Sequence, residues 1–509
     1  VWPVFISLSM FGSKRGDKKP ANYSTVQDAP TEVEPLVGGV FNADEKEHNL
    51  RRLKSYQWWA YFVTFGAYFM AHFSRKCYST VKPQLKTDAG LTQETLSEMD
   101  SVFMFTYAIG SFISGRLGDT CRPSTIIAIG LLGSGICLAA MTIGILFDFE
   151  GMSAGFGNFF YLATYFVFGF FQSTGGPVGT AIMGNWFCDS ESQKNRGLIF
   201  GTWTCHQYLG DIIAAVCTAI ILHFKVVYWW ALVIPTLCNI AWGFLCMYGL
   251  TPDPVEVGID TTFLGNKKKP MKQAKHVAGF EEEAKPISFI DALKIPNVAG
   301  YAFAFGFFKL TNYVLFFWLP YFLSLHFDPT TANLVSTLYS FGMMPGGIIV
   351  GKVSDIFGGR RACVIACFQA CLVPLLWLFA VTSDKLPMWA MMVILCCMGI
   401  LIGGPNNILT SAVAADLSEH PSISGNSKSL GTITGIINGS GSITAAVGLL
   451  IVGPMTKRYG WSSVWYFMMA LTVCGTSLMG PKILKEIRGE ESDQNGLQGK
   501  SEKGYQSKV

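Results

Sequence analysis

The residues best suited to chemistry lie in one stretch, AHFSRKCYSTVKP at 71–83. Arg75 and Lys76 are adjacent cations inside a run that, from Trp58 through YFVTFGAYFM, reads as a membrane-spanning helix. An ionisable group at bilayer depth costs about 2.5–3.5 kcal/mol on insertion scales and ordinarily faces a cavity or a partner. A chain that keeps two of them is expected to use them, most simply to hold an anion. The competing expectation is that the helix ends near Ser74 and the pair snorkels to the interface on its aliphatic stems. His72 and Arg75 are three apart and share a helix face, whereas Arg75 and Lys76 diverge by about 100°. Arg75 is therefore the predicted principal ligand, and Lys76 is predicted to turn towards a neighbouring helix.

Other polar groups fall at the same depth. His206 and Asp211 lie in the fifth apolar run, and Lys309, within FAFGFFKLTNYVLFFWLP, is the lone charge of the seventh. Cations on the first and seventh runs would let two halves of a chain grip one anion from opposite sides. Phosphate suits such a site, because two or three cations neutralise a dianion and Arg offers paired hydrogen bonds. A histidine can match its proton to a phosphate whose second pKa is about 6. Plainer alternatives stay open at this point: His206 as a packed, hydrogen-bonded imidazole, and Lys309 in an internal ion pair with Asp211. Asp211 itself reads as a structural counter-ion.

The elements that must position these groups follow from composition. Half of the 509 residues are hydrophobic and 14% are charged, against about 25% charged in ordinary soluble domains. The chain reads as an all-α, polytopic membrane protein. Twelve apolar segments, near 57–80, 98–116, 123–147, 157–183, 198–222, 227–250, 297–325, 332–351, 362–382, 387–411, 429–453 and 462–482, each approach the ~20 residues that cross the hydrocarbon. The longest break, 251–296, carries KKK at 267–269 and EEE at 281–283 and divides the segments into two sets of six. The predicted organisation is an N-terminal tail (1–56), a six-helix half (57–250), a central loop (251–296), a second half (297–482) and a C-terminal tail (483–509). Residues 1–11 are apolar but too short to span, and Met10 is a candidate start. Gly12–Asn49 has the polar composition of a disordered tail, where the Asn22 sequon would go unused.

The fourteen cysteines are scattered, mostly inside apolar runs, without metal-ligand spacing, so they read as reduced packing residues. The net charge of +4 resides in short loops and tails and implies no nucleic-acid partner. With no metal cluster, nucleophile elbow, phosphate-cradling loop or cofactor motif, the sequence offers nothing for an enzyme. Basic residues before the first segment (Arg51, Arg52, Lys54) and in alternate loops put both tails and the central loop in the cytoplasm. The Lys457–Arg458 pair is the one poor fit.

An internal repeat reinforces the division. Gly115-Arg-Leu-Gly-Asp119-Thr-Cys-Arg122 follows the second segment, and Gly351-Lys-Val-Ser-Asp355 with Arg360 and Arg361 follows the eighth. Gly allows close helix approach, Asp caps a helix or pairs with a cation, and Arg anchors at the inner interface. Two copies at equivalent positions resemble the short-loop gating motif of the major facilitator superfamily, whose halves are parallel repeats.

Longer stretches are similar to a narrower family, the organophosphate:phosphate antiporters, and most closely the eukaryotic sugar-phosphate exchangers of solute carrier family 37. They are HFSRK (72–76), TYAIGSFISG (106–115), QSTGGP (172–177), GNWF (184–187), GTWTCHQYLG (201–210), KLTNYVLFFWLP (309–320), GGPNNILTSAVAADL (403–417) and GNSKSLGTITGIINGSGSI (425–443). The resemblance implies exchange of a phosphorylated metabolite, such as glucose 6-phosphate or glycerol 3-phosphate, for inorganic phosphate across the bilayer, without a cofactor. It carries the family's helix-1 cation pair onto Arg75 and Lys76 and its helix-5 histidine onto His206. Its cavity tyrosines resemble Tyr68 and Tyr107. The family's helix-7 Arg falls on Asn312, with Lys309 one turn earlier on the same face, a departure that reshapes the cavity for the organic part. The resemblance implies an endoplasmic-reticulum membrane first, with plasma membrane or another organelle as alternatives. A monomer and a homo-oligomer are both compatible with it. Two other readings stay open: a non-transporting sugar-phosphate sensor of the same fold, and a proton-coupled carrier of another small solute through Asp211.

Overall fold

In the computed structural model, which describes residues 43–187, 192, 196–259, 288–383, 385–418 and 429–489, every regular element is helical among the described residues. The tail residues 1–42 and 490–509, the Asn22 sequon and the KKK and EEE runs of the central loop lie outside them. The first helix, α1 (Ala43–Thr87), starts well inside the predicted tail, because ADEKEHNLRRLK is polar yet made largely of good helix formers. Thr92 caps α2 (Gln93–Thr120) by accepting the Thr95 N–H at 3.1 Å. Pro123 opens α3 (Pro123–Leu146), where its missing N–H costs nothing. The fourth segment is α4 (Ala154–Gln172), interrupted at Ser173–Thr174 and resumed as Gly175–Trp186. Then come α5 (Cys205–His223), led in by Arg196–Trp203, and α6 (Trp230–Gly249).

The second set opens with α7 (Val298–Leu323) and α8 (Pro329–Ile356); Asp328 caps α8 by accepting the N–H groups of Thr330 and Thr331 at 3.0 and 3.1 Å. It continues with α9 (Arg361–Thr382), α10 (Met388–Ile408, extended by a π turn Leu409–Val413), α11 (Ser429–Leu450, followed by Val452–Tyr459) and α12 (Trp461–Leu478). By length and composition eight described helices are apolar enough to cross a membrane, nine if α12 and Gly480–Arg488, bent by 51°, form one span. Among the helices outside that set, α1 and α2 carry buried charges (Arg75, Lys76, Lys82, Asp100) and α4 is split. Apolar side chains turned outward, among them Phe62, Ile136, Phe159, Phe303, Phe341 and Val447, supply the lipid-facing surface of this multi-pass membrane protein.

Within each set α3 packs on α6, α2 on α4, α8 on α10 and α7 on α11; α2 with α11 and α5 with α8 join the sets. The α2–α11 approach depends on Gly439, since a Cβ there would sit 2.1 Å from the Phe112 ring. A seam of hydrogen bonds closes the end of the bundle where α1 and α7 finish. Ser79 donates to the Phe316 carbonyl (2.8 Å), Lys86 and Gln93 both donate to the Tyr321 hydroxyl (3.0 and 2.7 Å), and the Gly453 N–H donates to Ser97 (2.7 Å).

Candidate anion-binding site

Arg75 faces inward from the middle of α1 and is 1% exposed. Its Nη1 donates to the Tyr313 hydroxyl of α7 and its Nη2 to Gln172 Oε1 of α4, each at 3.2 Å. The guanidinium lies 4.8 Å from the Tyr107 ring centre and 5.1 Å from that of Phe103. Gln172 is itself fixed, because its amide nitrogen donates to Ser74 (3.0 Å) and Ser134 (3.2 Å), which turns its carbonyl oxygen to the arginine. Arg75 Nε has no partner, and Arg75 forms no ion pair among the described residues. Its charge is shielded by rings and neutral acceptors without being cancelled.

Lys309 comes from α7 and is also buried. Its Nζ donates to Asn438 Oδ1 (2.6 Å), the Asn438 carbonyl (3.2 Å) and Ser442 Oγ (2.7 Å), all on α11. The expected alternative, an ion pair with Asp211, is not formed: Asp211 Oδ1 lies 3.2 Å from His72 Nδ1 instead. Lys309 Nζ is 5.6 Å from the Tyr107 ring centre and 5.6 Å from that of Tyr313. The two cations, one from each half of the chain, therefore flank the same pair of tyrosine rings.

The remaining predicted residues arrange around this core. The Tyr68 and Tyr107 hydroxyls are 3.5 Å apart, and Tyr68 stacks obliquely between His72 (5.1 Å) and His206 (4.4 Å). His206 is buried against Trp203 and Phe65, and neither ring nitrogen has a partner among the described residues. Lys76 does turn to a neighbouring helix, donating to the Phe316 carbonyl of α7 at 2.6 Å with its Nζ over the Phe316 ring. Asn312 accepts the Tyr339 hydroxyl of α8 at 2.7 Å, on a different line of α7 contacts from Lys309. The snorkelling alternative for the pair is not what is observed, since α1 runs on to Thr87 and both cations are buried.

Of the repeated motif, Gly115 and Asp119 sit in α2 and Gly351 and Asp355 in α8; the side chains of Asp119 and Asp355 lie outside what is described. Arg122 pairs with Glu256 (3.1 Å) and Arg360 stands at the start of α9. Arg361 pairs with Asp416, and Glu486 accepts the N–H groups of Ala362 (3.1 Å) and Cys363 (2.9 Å).

Sequence reasoning passed over Gln172, Tyr313, Asn438 and Ser442, all of which lie inside stretches that carry the family resemblance but bear no charge. It also missed Lys82 and Asp100, a fully buried pair at 2.6 Å roofed by the Trp318 ring 4.1 Å from Nζ. Both fall at the margins of apolar runs, where charges ordinarily read as interface anchors.

Two buried cations with no ion-pair partner among the described residues, set beside several hydroxyl groups, can bind and orient an anion. The family model described as the Major Facilitator Superfamily matches residues 64–425 and 301–502. The chain is 30% identical over 471 residues to "Sugar phosphate exchanger 3" of Mus musculus, covering 84% of this chain and 92% of that protein. To "Sugar phosphate exchanger 3" of Homo sapiens it is 30% identical over 84% of this chain and 92% of the relative. To "Putative glycerol-3-phosphate transporter 5" of Arabidopsis thaliana it is 32% identical, covering 83% and 90% respectively.

Proposed function

The chain belongs to the Major Facilitator Superfamily, and we propose that it exchanges a phosphorylated metabolite for inorganic phosphate by alternating access between its two six-helix halves. The observation that carries this reading is the meeting of Arg75 and Lys309, from opposite halves, at Tyr107 and Tyr313 with no carboxylate on either cation among the described residues. A buried, unpaired charge is costly unless a ligand supplies the counter-charge, and phosphate does so for both cations at once. The names of the relatives support the organophosphate class, with a sugar phosphate or glycerol 3-phosphate as the organic partner.

In this reading Arg75 is the principal phosphate ligand and Lys309 clamps from the other half. Tyr68, Tyr107 and His72 stand beside the two cations, and His206 offers its ring nitrogens to the substrate. Lys76 ties α1 to α7, and Asn312 shapes the far wall through Tyr339. Asp211, engaged with His72, serves as a structural counter-ion rather than a proton carrier. The repeated Gly115–Arg122 and Gly351–Arg361 motifs gate the cytoplasmic side, where both tails and the central loop lie. The host membrane is that of the endoplasmic reticulum. In proteoliposomes preloaded with phosphate, external sugar phosphate should drive phosphate efflux, and Arg75→Ala should abolish it. Undiminished exchange by that variant would sink the assignment, and binding without counterflow would make the protein a sensor.

A further inference from the structure

Lys309 is held in a way that anion binding alone does not require. An ammonium has three N–H donors, and its three acceptors here all belong to one short stretch of α11: Asn438 Oδ1 at 2.6 Å, the Asn438 carbonyl at 3.2 Å and Ser442 Oγ at 2.7 Å. Ser442 spends its own hydroxyl proton on the Asn438 carbonyl (3.0 Å), so its lone pairs are left for the lysine. Between them Gly441 leaves α11 bare where the lysine stem passes; a Cβ there would come 2.9 Å from Lys309 Cδ. The pocket fits this side chain, and every acceptor in it is neutral. The rings facing the ammonium from the other elements are Tyr107 of α2 and, on α7, Phe305 and Tyr313. The same stretch of α11 touches the other half of the chain, through Gly439 against Phe112 of α2.

We infer that Asn438 and Ser442 are positioning residues that hold Lys309 on α11, and that phosphate competes with Asn438 Oδ1 for the ammonium, loosening the α7–α11 contact at this point. This rests on the phosphate-exchange reading of the site. An anionic oxygen adds a Coulomb attraction to the ammonium that a neutral amide oxygen lacks, so a phosphoryl group competes for the lysine and an uncharged sugar does not. The Lys309–Asn438 bond thereby responds to the anion, and α11, which also packs on α2 of the opposite half, is held less tightly to α7 when the anion is bound. That dependence is what an obligatory exchanger needs, since an empty carrier must not reorient.

The isosteric variant Asn438→Asp separates charge from shape. A carboxylate at this position pairs permanently with Lys309, and the KM for phosphate should rise tenfold or more. Asn438→Ala removes the side-chain competitor, and the KM for phosphate should fall several-fold while the maximal exchange rate drops. Ser442→Ala should follow Asn438→Ala, with Ser442→Thr restoring wild-type behaviour. Opposite movements of KM at one position are not what loss of folding produces. Asn438→Asp with a wild-type KM, or Asp and Ala variants that move KM in the same direction, would overturn the proposal. If the wild-type protein does not exchange, the exchange reading fails, and the thermal shift of purified protein on adding inorganic phosphate still decides the inference. A shift in wild type and Asn438→Ala that vanishes in Asn438→Asp supports it; equal shifts in all three, or none in wild type, overturn it.

Discussion

At the scale of single residues, the neutral partners of Arg75 and Lys309 leave the charge of both side chains available to an anion. Gln172 holds one arm of Arg75 through its carbonyl oxygen while both of its amide donors are occupied. Gln172→Glu would place a carboxylate on the arginine at hydrogen-bond distance and cancel its charge. Phosphate exchange should fall at least about tenfold, by the strength of a charge-assisted pair, with the rise read in KM for phosphate. Arg75→Lys should be nearly as damaging, because an ammonium cannot span Tyr313 and Gln172 as the planar fork does. The Lys82–Asp100 pair makes a different prediction, about stability. Removing one partner strands the other in a site with no solvent, at a cost of about 3–5 kcal/mol. The paired replacement Lys82→Met with Asp100→Leu should cost much less. Thermal unfolding in detergent checks this, and the double variant should melt above either single one. Arg75, Lys76, His206 and Lys309 were visible in the sequence because charge stands out in an apolar run. Gln172, Asn438 and Ser442 were not, since uncharged polar residues are ordinary in packed membrane helices and declare their role only through their neighbours.

At the scale of elements, hydropathy marks the stretch that meets lipid and is blind to helix on either side of it. That is why α1 extends back to Ala43, into residues whose charge argued for a tail but whose propensity favours helix. The split of the fourth segment was equally hidden: QSTGGP falls inside the single stretch 157–183, while in the fold it interrupts α4 at Ser173–Thr174. The start of α8 is fixed by Asp328, which accepts two of its backbone N–H groups. Hydrogen bonds from the Thr331 side chain and N–H and from the Thr330 N–H hold its carboxyl below the usual carboxylate range. A depressed folded-state pKa means the contribution is present above the unfolded value of about 3.9 and is lost as pH falls through the folded value. Asp328→Ala should therefore lower stability by about 1 kcal/mol near neutrality, and the gap to wild type should close on acidification in thermal melts.

At the scale of the whole molecule, the two halves are tied most firmly at the end where α1 and α7 finish, and the ties differ in kind. The Lys457–Glu94 pair (2.6 Å) leaves its lysine two-thirds exposed, and such pairs contribute about 0–1 kcal/mol. Tyr321 is different, since its buried side chain on α7 gives one hydroxyl oxygen to donors from both ends of the α1–α2 turn, Lys86 and Gln93. Removing that oxygen takes away both cross-half bonds, each worth about 0.5–1.5 kcal/mol net. A shift of about 1.4 kcal/mol moves a two-state equilibrium tenfold, enough to populate a state opened on this side. Spin labels at the exposed positions Thr87 and Leu325, in a cysteine-free background, read the separation of the two helix ends. Tyr321→Phe should add a longer component to the distance distribution, whereas Glu94→Gln should leave it near wild type. Equal effects from the two variants would mean that surface charge, and not the buried hydroxyl, sets the balance between the closed and open ends of the bundle.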